Sequence, residues 1–115
     1  MADKKAPSTY VEMEMVDGST VKMTLNFARL RMVKVKKPDV YDNYAAAIRF
    51  MMEDESGIPD EFQTIDVLYA GYLCSNPEHI DELMSYDDFL ELLPNSHTMI
   101  YEKYSLLYKG DEGKK

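Results

Sequence analysis

The sequence predicts a mainly α fold of the α+β class: an N-terminal β-hairpin followed by a compact bundle of about five or six helices. Three observations carry that reading. In PDEFQTIDVLYAGYLC, residues 59–74, the side chains Phe62, Ile65, Leu68, Tyr69, Tyr72 and Leu73 recur at steps of three and four, the spacing of one broad apolar helix face. Residues 10–25 alternate apolar and polar instead, the period of strands. Breaks at Pro38, Ser56-Gly57-Ile58-Pro59, Ser75-Asn76-Pro77 and Pro94-Asn95-Ser96 divide the remainder into helix-length pieces.

The chain in order justifies each element. Residues 1–9 are charged, small and Pro-containing, and read as a flexible leader before a single domain over 10–110. Within that domain the hairpin takes 10–25 and the helical core 26–110. Val11, Met13 and Met15 share one face of the first strand, and Val21, Met23 and Leu25 one face of the second. Opposed residues must share a face. A two-residue Asp17-Gly18 loop would set Met13 opposite Lys22 and fails. A three-residue Val16-Asp17-Gly18 loop, with Gly18 left-handed, sets Met13 opposite Val21 and Glu12 opposite Lys22. A two-stranded hairpin is marginal alone, so its Val/Met face must lie on a helix or on another chain.

Asn26 caps a helix over Phe27–Lys36, with Phe27, Leu30, Met32 and Val33 inward and Arg29, Arg31, Lys34 and Lys36 in water. Pro38-Asp39 starts the next helix, with Val40, Tyr41, Tyr44, Ala47, Ile48, Met51 and Met52 at helical spacing to about Asp54. The segment 59–74 is the central helix. Val67, Ala70 and Cys74 widen its apolar face, so it needs cover on more than one side. Asn76 and Pro77 open a short helix to about Leu83. Ser85, with Asp88 three residues on, caps another over Tyr86–Leu93. Ser96 precedes the last helix, His97–Lys109, with Ile100, Tyr101, Tyr104, Leu107 and Tyr108 inward and Gly110 as its stop. Residues 111–115 read as a flexible tail.

Composition narrows the function classes. Nine Met, nine Tyr and no Trp fit first a Met-filled core with half-exposed tyrosines, and second an adaptable contact surface. The net charge is −8, but it is unevenly placed: residues 1–37 are net +4 and the remainder is net −12. An acidic body with a basic edge argues against nucleic acid as the main ligand and for a polar protein interface. The single Cys74 cannot form an internal disulfide and reads as a buried thiol in a reducing compartment. No signal peptide and no apolar run of membrane-spanning length is visible, so a cytoplasmic protein without a membrane partner is expected.

Chemistry-bearing motifs are sparse. One Cys with His79 and His97 lacks zinc-ligand spacing. Aligning Gly57 with the glycine of an EF-hand loop puts Asp54 and Ser56 at ligand positions, but sets Met52 and Gln63 where the end carboxylates belong. No nucleophile elbow, Cys–His pair or phosphate loop is present, so no enzyme and no cofactor is expected. Two rival readings follow from the residues: an EF-hand-like calcium-binding regulator around Asp54, and a small nucleic-acid-associated regulator using the basic helix at 27–37.

Four segments in matching order, TVKMTLNFARLRMVK (20–34), Pro38-Asp39-Val40-Tyr41, DVLYAGYLCSNP (66–77) and MSYDDFLELLP (84–94), resemble the tail assembly chaperones of long-tailed bacteriophages and prophages of Gram-positive bacteria. The likeness spans roughly residues 10–110, and its segments are packing and capping residues rather than a catalytic signature. It implies a helical core with an N-terminal hairpin and a non-enzymatic role. Such proteins bind the tape measure protein, keep its long hydrophobic helices soluble and help tail tube protein polymerise around it. In many relatives a ribosomal frameshift adds a C-terminal extension, and Gly113-Lys114-Lys115 is compatible with an A-rich codon run. The partner-binding candidates are the hairpin face, Val11, Met13, Met15, Val21 and Met23, and the tyrosines Tyr41, Tyr44, Tyr101, Tyr104 and Tyr108. Self-association into a homo-oligomer is the further expectation.

Overall fold

Strands β1 (Val11–Glu14) and β2 (Thr20–Met23) open the fold in a computed structural model that describes residues 10–53 and 59–109. They pair antiparallel with Met13 opposite Val21 and Glu12 opposite Lys22, the register that a three-residue loop demands. Gly18 has φ +88°, so the left-handed position falls where only glycine is unstrained. The Met15 N–H donates to Ser19 O at 2.7 Å, and the Asp17 carboxylate accepts from the Ser19 amide and hydroxyl, closing the loop. Those two bonds hold the Asp17 carboxyl below its ordinary pKa.

Helices α1 (Phe27–Lys36), α2 (Pro38–Glu53), α3 (Glu61–Cys74), a 3-10 helix (Pro77–Glu82), α4 (Tyr86–Leu92) and α5 (His97–Lys109) follow. The mainly helical architecture with an N-terminal hairpin is the one the sequence predicts. Local caps set the boundaries. Asn26 Oδ1 accepts from Arg29 N at 2.9 Å, Ser85 Oγ from Asp88 N at 3.2 Å and Ser96 Oγ from Met99 N at 3.2 Å. Asp60 and Gln63 form a reciprocal capping box at the start of α3, at 2.8 and 2.9 Å.

The centre of the fold is α3. Every residue from Val67 to Cys74 is buried. Helices α1, α2 and α5 and strand β2 all pack on it, which supplies the many-sided cover that so apolar a helix needs. Gly71 lets two of these neighbours approach: a Cβ there would lie 2.7 Å from Leu107 Cδ2 and 3.3 Å from Met23 Cβ. The Ser75 N–H bonds Tyr72 O, one residue tighter than an α-helix, and the Gly71 carbonyl accepts the Thr24 N–H at 3.0 Å. Helix backbone and strand backbone are thereby tied directly.

Several expectations are corrected. The hairpin face is not open: Met13, Met15, Val21 and Met23 are buried, with β2 along α3 and β1 against α5. Of the two covers a lone hairpin could take, the chain's own helices are the one used. Phe27 is 89% exposed and Phe62 is 61% exposed, although helical spacing puts both on apolar faces. Each stands in the first turn of its helix, at the edge of the strip its neighbours cover. The short helix expected from Pro77 is present as the 3-10 helix Pro77–Glu82, in which His79 leaves helical geometry (φ −127°, ψ 42°) and the Pro77 and Glu78 carbonyls accept from the Lys36 ammonium at 2.9 and 3.4 Å. The leader at 1–9, the Gly110 stop, the tail and the Asp54–Gly57 part of the calcium reading lie outside the described residues.

Candidate functional site

The five candidate tyrosines lie on α2 and α5, which both pack on α3. On α2, Tyr41 and Tyr44 are half-buried with ring centroids 5.9 Å apart, and the Lys34 ammonium sits 5.2 Å from the Tyr41 ring centroid. On α5, Tyr101, Tyr104 and Tyr108 form a ladder at 5.5 and 5.7 Å, the last pair stacked within 10° of parallel. The Tyr104 hydroxyl meets the Met51 sulfur and so joins α5 to α2. Burial, then the neighbouring Cys74, Tyr41 and Tyr108, push the Tyr44 phenol up to about 12. Burial, then Tyr108 and Tyr101, do the same to Tyr104, also to about 12. These phenols are neutral at any physiological pH, which suits them to packing and not to proton transfer.

The candidates therefore divide. Tyr104 is 1% exposed and belongs to the core, with Tyr44 and Tyr41 half-covered beside α1 and α3. Tyr101 and Tyr108 remain exposed. Of the hairpin residues, only Val11 keeps partial exposure.

A second aromatic group is structural. Phe89 of α4 lies 5.2 Å from Tyr69 and 5.3 Å from Tyr72 of α3. The Tyr69 hydroxyl donates to Met84 O at 2.7 Å, and the Met84 N–H donates to the Tyr72 hydroxyl at 3.0 Å, so the two phenols hold the strand-like link into α4. The Tyr86 hydroxyl donates to Asp66 Oδ1 at 2.9 Å beside a cleft of 160 Å³. Burial raises the pKa of both groups. Cys74 is fully buried and its thiol is pushed up to about 12 by that burial, against the pull of Arg29, so it offers no thiolate nucleophile at neutral pH. His97 pairs with Glu61 and His79 with Glu82. Among the described residues no three His, Cys, Asp or Glu side chains are grouped to hold a metal ion.

No family model, curated protein or solved structure matches this chain. Its own surface is therefore the guide to what it contacts.

The feature that the sequence reading missed is the outer side of α1. Leu30 and Val33 point into the core, yet Val35 is 71% exposed. Two residues beyond Val33, at 100° per residue, Val35 is turned about 200° round the axis. Ala28 and Met32 lie beside it, and a groove of 170 Å³ runs between Ala28, Arg31, Met32, Val35 and Lys36. The signal was present: FARLRMVKVK has apolar residues on opposite sides, more than one buried strip can absorb.

Nor is the basic character of α1 simply a wet face. Arg29 Nη1 donates to Cys74 O at 2.7 Å and Ser75 O at 3.4 Å, the Lys36 ammonium donates to the Pro77 carbonyl at the start of the 3-10 helix, and Lys37 pairs with Asp81 at 3.7 Å. Of these cations Arg29 meets the negative end of α3, while Lys36 and Lys37 hold the 3-10 helix beside α1. No helix among the described residues is long and apolar enough to cross a membrane.

Proposed function

We propose that this chain is a tail assembly chaperone of the long-tailed phage type, acting in the bacterial cytoplasm. It is a non-enzymatic binding protein that holds hydrophobic helices of the tape measure protein in solution while tail tube protein assembles. The ordered run of four segments described above supports the family. The observation that carries the mode of action is that large apolar side chains, Phe27, Val35, Phe62, Tyr101 and Leu106, remain exposed on a chain of net charge −8. Exposed apolar residues give a client something to adhere to, and the surrounding like charge keeps the complex dispersed.

Co-expression tests the reading. A phage tape measure protein is expected to shift from the insoluble to the soluble fraction when the chain is present, and to co-purify with it. A tape measure protein equally insoluble with and without the chain removes the basis of the proposal.

A further inference from the structure

We infer that the outer face of α1 is a docking strip for one helix of a partner protein, amphipathic and flanked by carboxylates. The inference rests on the chaperone reading above and specifies where the client is held and what chemistry selects it. Phe27, Arg31 and Val35 follow one another at i, i+4 and i+8 and form a ridge, and Ala28 and Met32 form the row beside it. Phe27 and Val35 are exposed, and the 170 Å³ groove lies between the rows. Ridges of a second helix fit such grooves, and the small Ala28 lets its backbone come close.

Charge complementarity sets the partner's sign. Helix α1 contains no acid. The charged residues lining the groove are Arg31, within the ridge, and Lys36, whereas Lys34 lies over the Tyr41 ring and Arg29 and Lys37 are engaged within the chain. The lining of the groove is therefore cationic although the whole chain is acidic. Two cations beside greasy side chains suit a carboxylate-flanked apolar helix. They are too few for nucleic acid, whose tight binders contact roughly six to ten phosphates. A second copy of net charge −8 is disfavoured by long-range repulsion.

The test is fluorescence anisotropy on the full chain with a labelled peptide of roughly 18 residues, long enough to form a helix. It carries Leu at i, i+3, i+4 and i+7 and Glu on both flanks, and its isostere carries Lys for Glu. The Glu peptide is expected to bind about tenfold tighter than the Lys peptide, and Arg31→Glu is expected to reverse the order. The double variant Phe27→Ser/Val35→Ser is expected to weaken binding about tenfold with Tm unchanged, since both side chains are exposed. Absence of binding, equal binding of the two peptides, or insensitivity to the double variant overturns the inference. So does a dimer in sedimentation that the double variant abolishes, which makes a second copy the occupant, or salt-sensitive duplex DNA binding that it abolishes. Tape measure solubility that survives the double variant, with no peptide binding, sinks the strip and leaves the chaperone reading. Peptide binding without tape measure rescue does the reverse.

Discussion

The guanidinium of Arg29 lies 2.7 Å from the carbonyl oxygen of Cys74, joining the first helix to the end of the central one across 45 positions of sequence. The last carbonyls of a helix lack intrahelical donors, and α3 ends in a buried part of the fold where water cannot replace them. A cation at that end also meets the negative pole of the helix dipole. Arg29→Ala is therefore expected to destabilise the fold by about 2 kcal/mol, the range for hydrogen bonds to a charged group. For a chain of this size that is a fall of about 8 °C in Tm by calorimetry. Arg29→Lys should recover part of it. A Tm within 1–2 °C of the parent, about the precision such scans resolve, would show that solvent satisfies the Cys74 carbonyl.

Gly71 marks the closest approach between α3, β2 and α5. Alanine there gains about 1 kcal/mol of helix propensity. It also forces Leu107 Cδ2, 2.7 Å from the new Cβ, to move, and presses on Met23 Cβ at 3.3 Å. Overpacking of this kind costs about 1–3 kcal/mol, so Gly71→Ala is expected to be net destabilising by about 1 kcal/mol. Leu107→Ala in the same chain removes the closer contact. Chemical denaturation of the two single variants and the double variant should then give a coupling energy of about 1 kcal/mol with Gly71→Ala no longer unfavourable; additive effects would contradict this packing.

What the sequence made legible was local. The register of β1 and β2 followed from the parity of Met13 and Val21 together with a glycine able to take φ +88°. The caps Asn26, Ser85 and Ser96 lie three residues from the amides they accept, and their signatures are equally short. What was not legible depended on distant neighbours. Periodicity put Phe27 and Phe62 on apolar faces but could not say where the packing neighbour stops. It assigned Arg29 and Lys36 to solvent because their acceptors, Cys74 and Pro77, are more than forty residues away. It offered the hairpin face to a partner because nothing in residues 10–25 reveals that α3 and α5 cover it. Of the candidate contact residues, the tyrosines of α5 kept exposed members because a ladder at steps of three and four straddles the edge of a buried strip.

Alkaline pH should unfold the chain over a defined window. Tyr44, Tyr69 and Tyr104 all have phenols pushed up to about 12, in each case first by burial. In the unfolded chain they ionise near 10. The folded state therefore holds protons that the unfolded state releases between those values, and stability falls as pH rises through the window. The contribution is intact below pH 10 and lost by about 12. The phenolate absorbance of this buried set is expected to appear together with loss of the helical circular dichroism signal. Its appearance with helicity retained would mean that these phenols are solvated.

Tyr101 and Tyr104 are neighbours on α5 with rings 5.5 Å apart, yet their substitution should read differently. Tyr104 is fully buried, stacks on Tyr108 and reaches Met51 across the fold. Tyr104→Ala leaves a cavity of ring size and is expected to cost about 3–5 kcal/mol, enough to populate unfolded chain. Tyr101 is 44% exposed, and Tyr101→Ala should cost less than about 1 kcal/mol. Denaturant midpoints order the two, and a client-binding assay then separates stability from contact. If Tyr101 touches a partner, its alanine variant folds as the parent does and binds more weakly. If binding is unchanged by Tyr101→Ala and by Tyr108→Ala, the ladder serves packing alone, and the contact surface lies elsewhere on the chain.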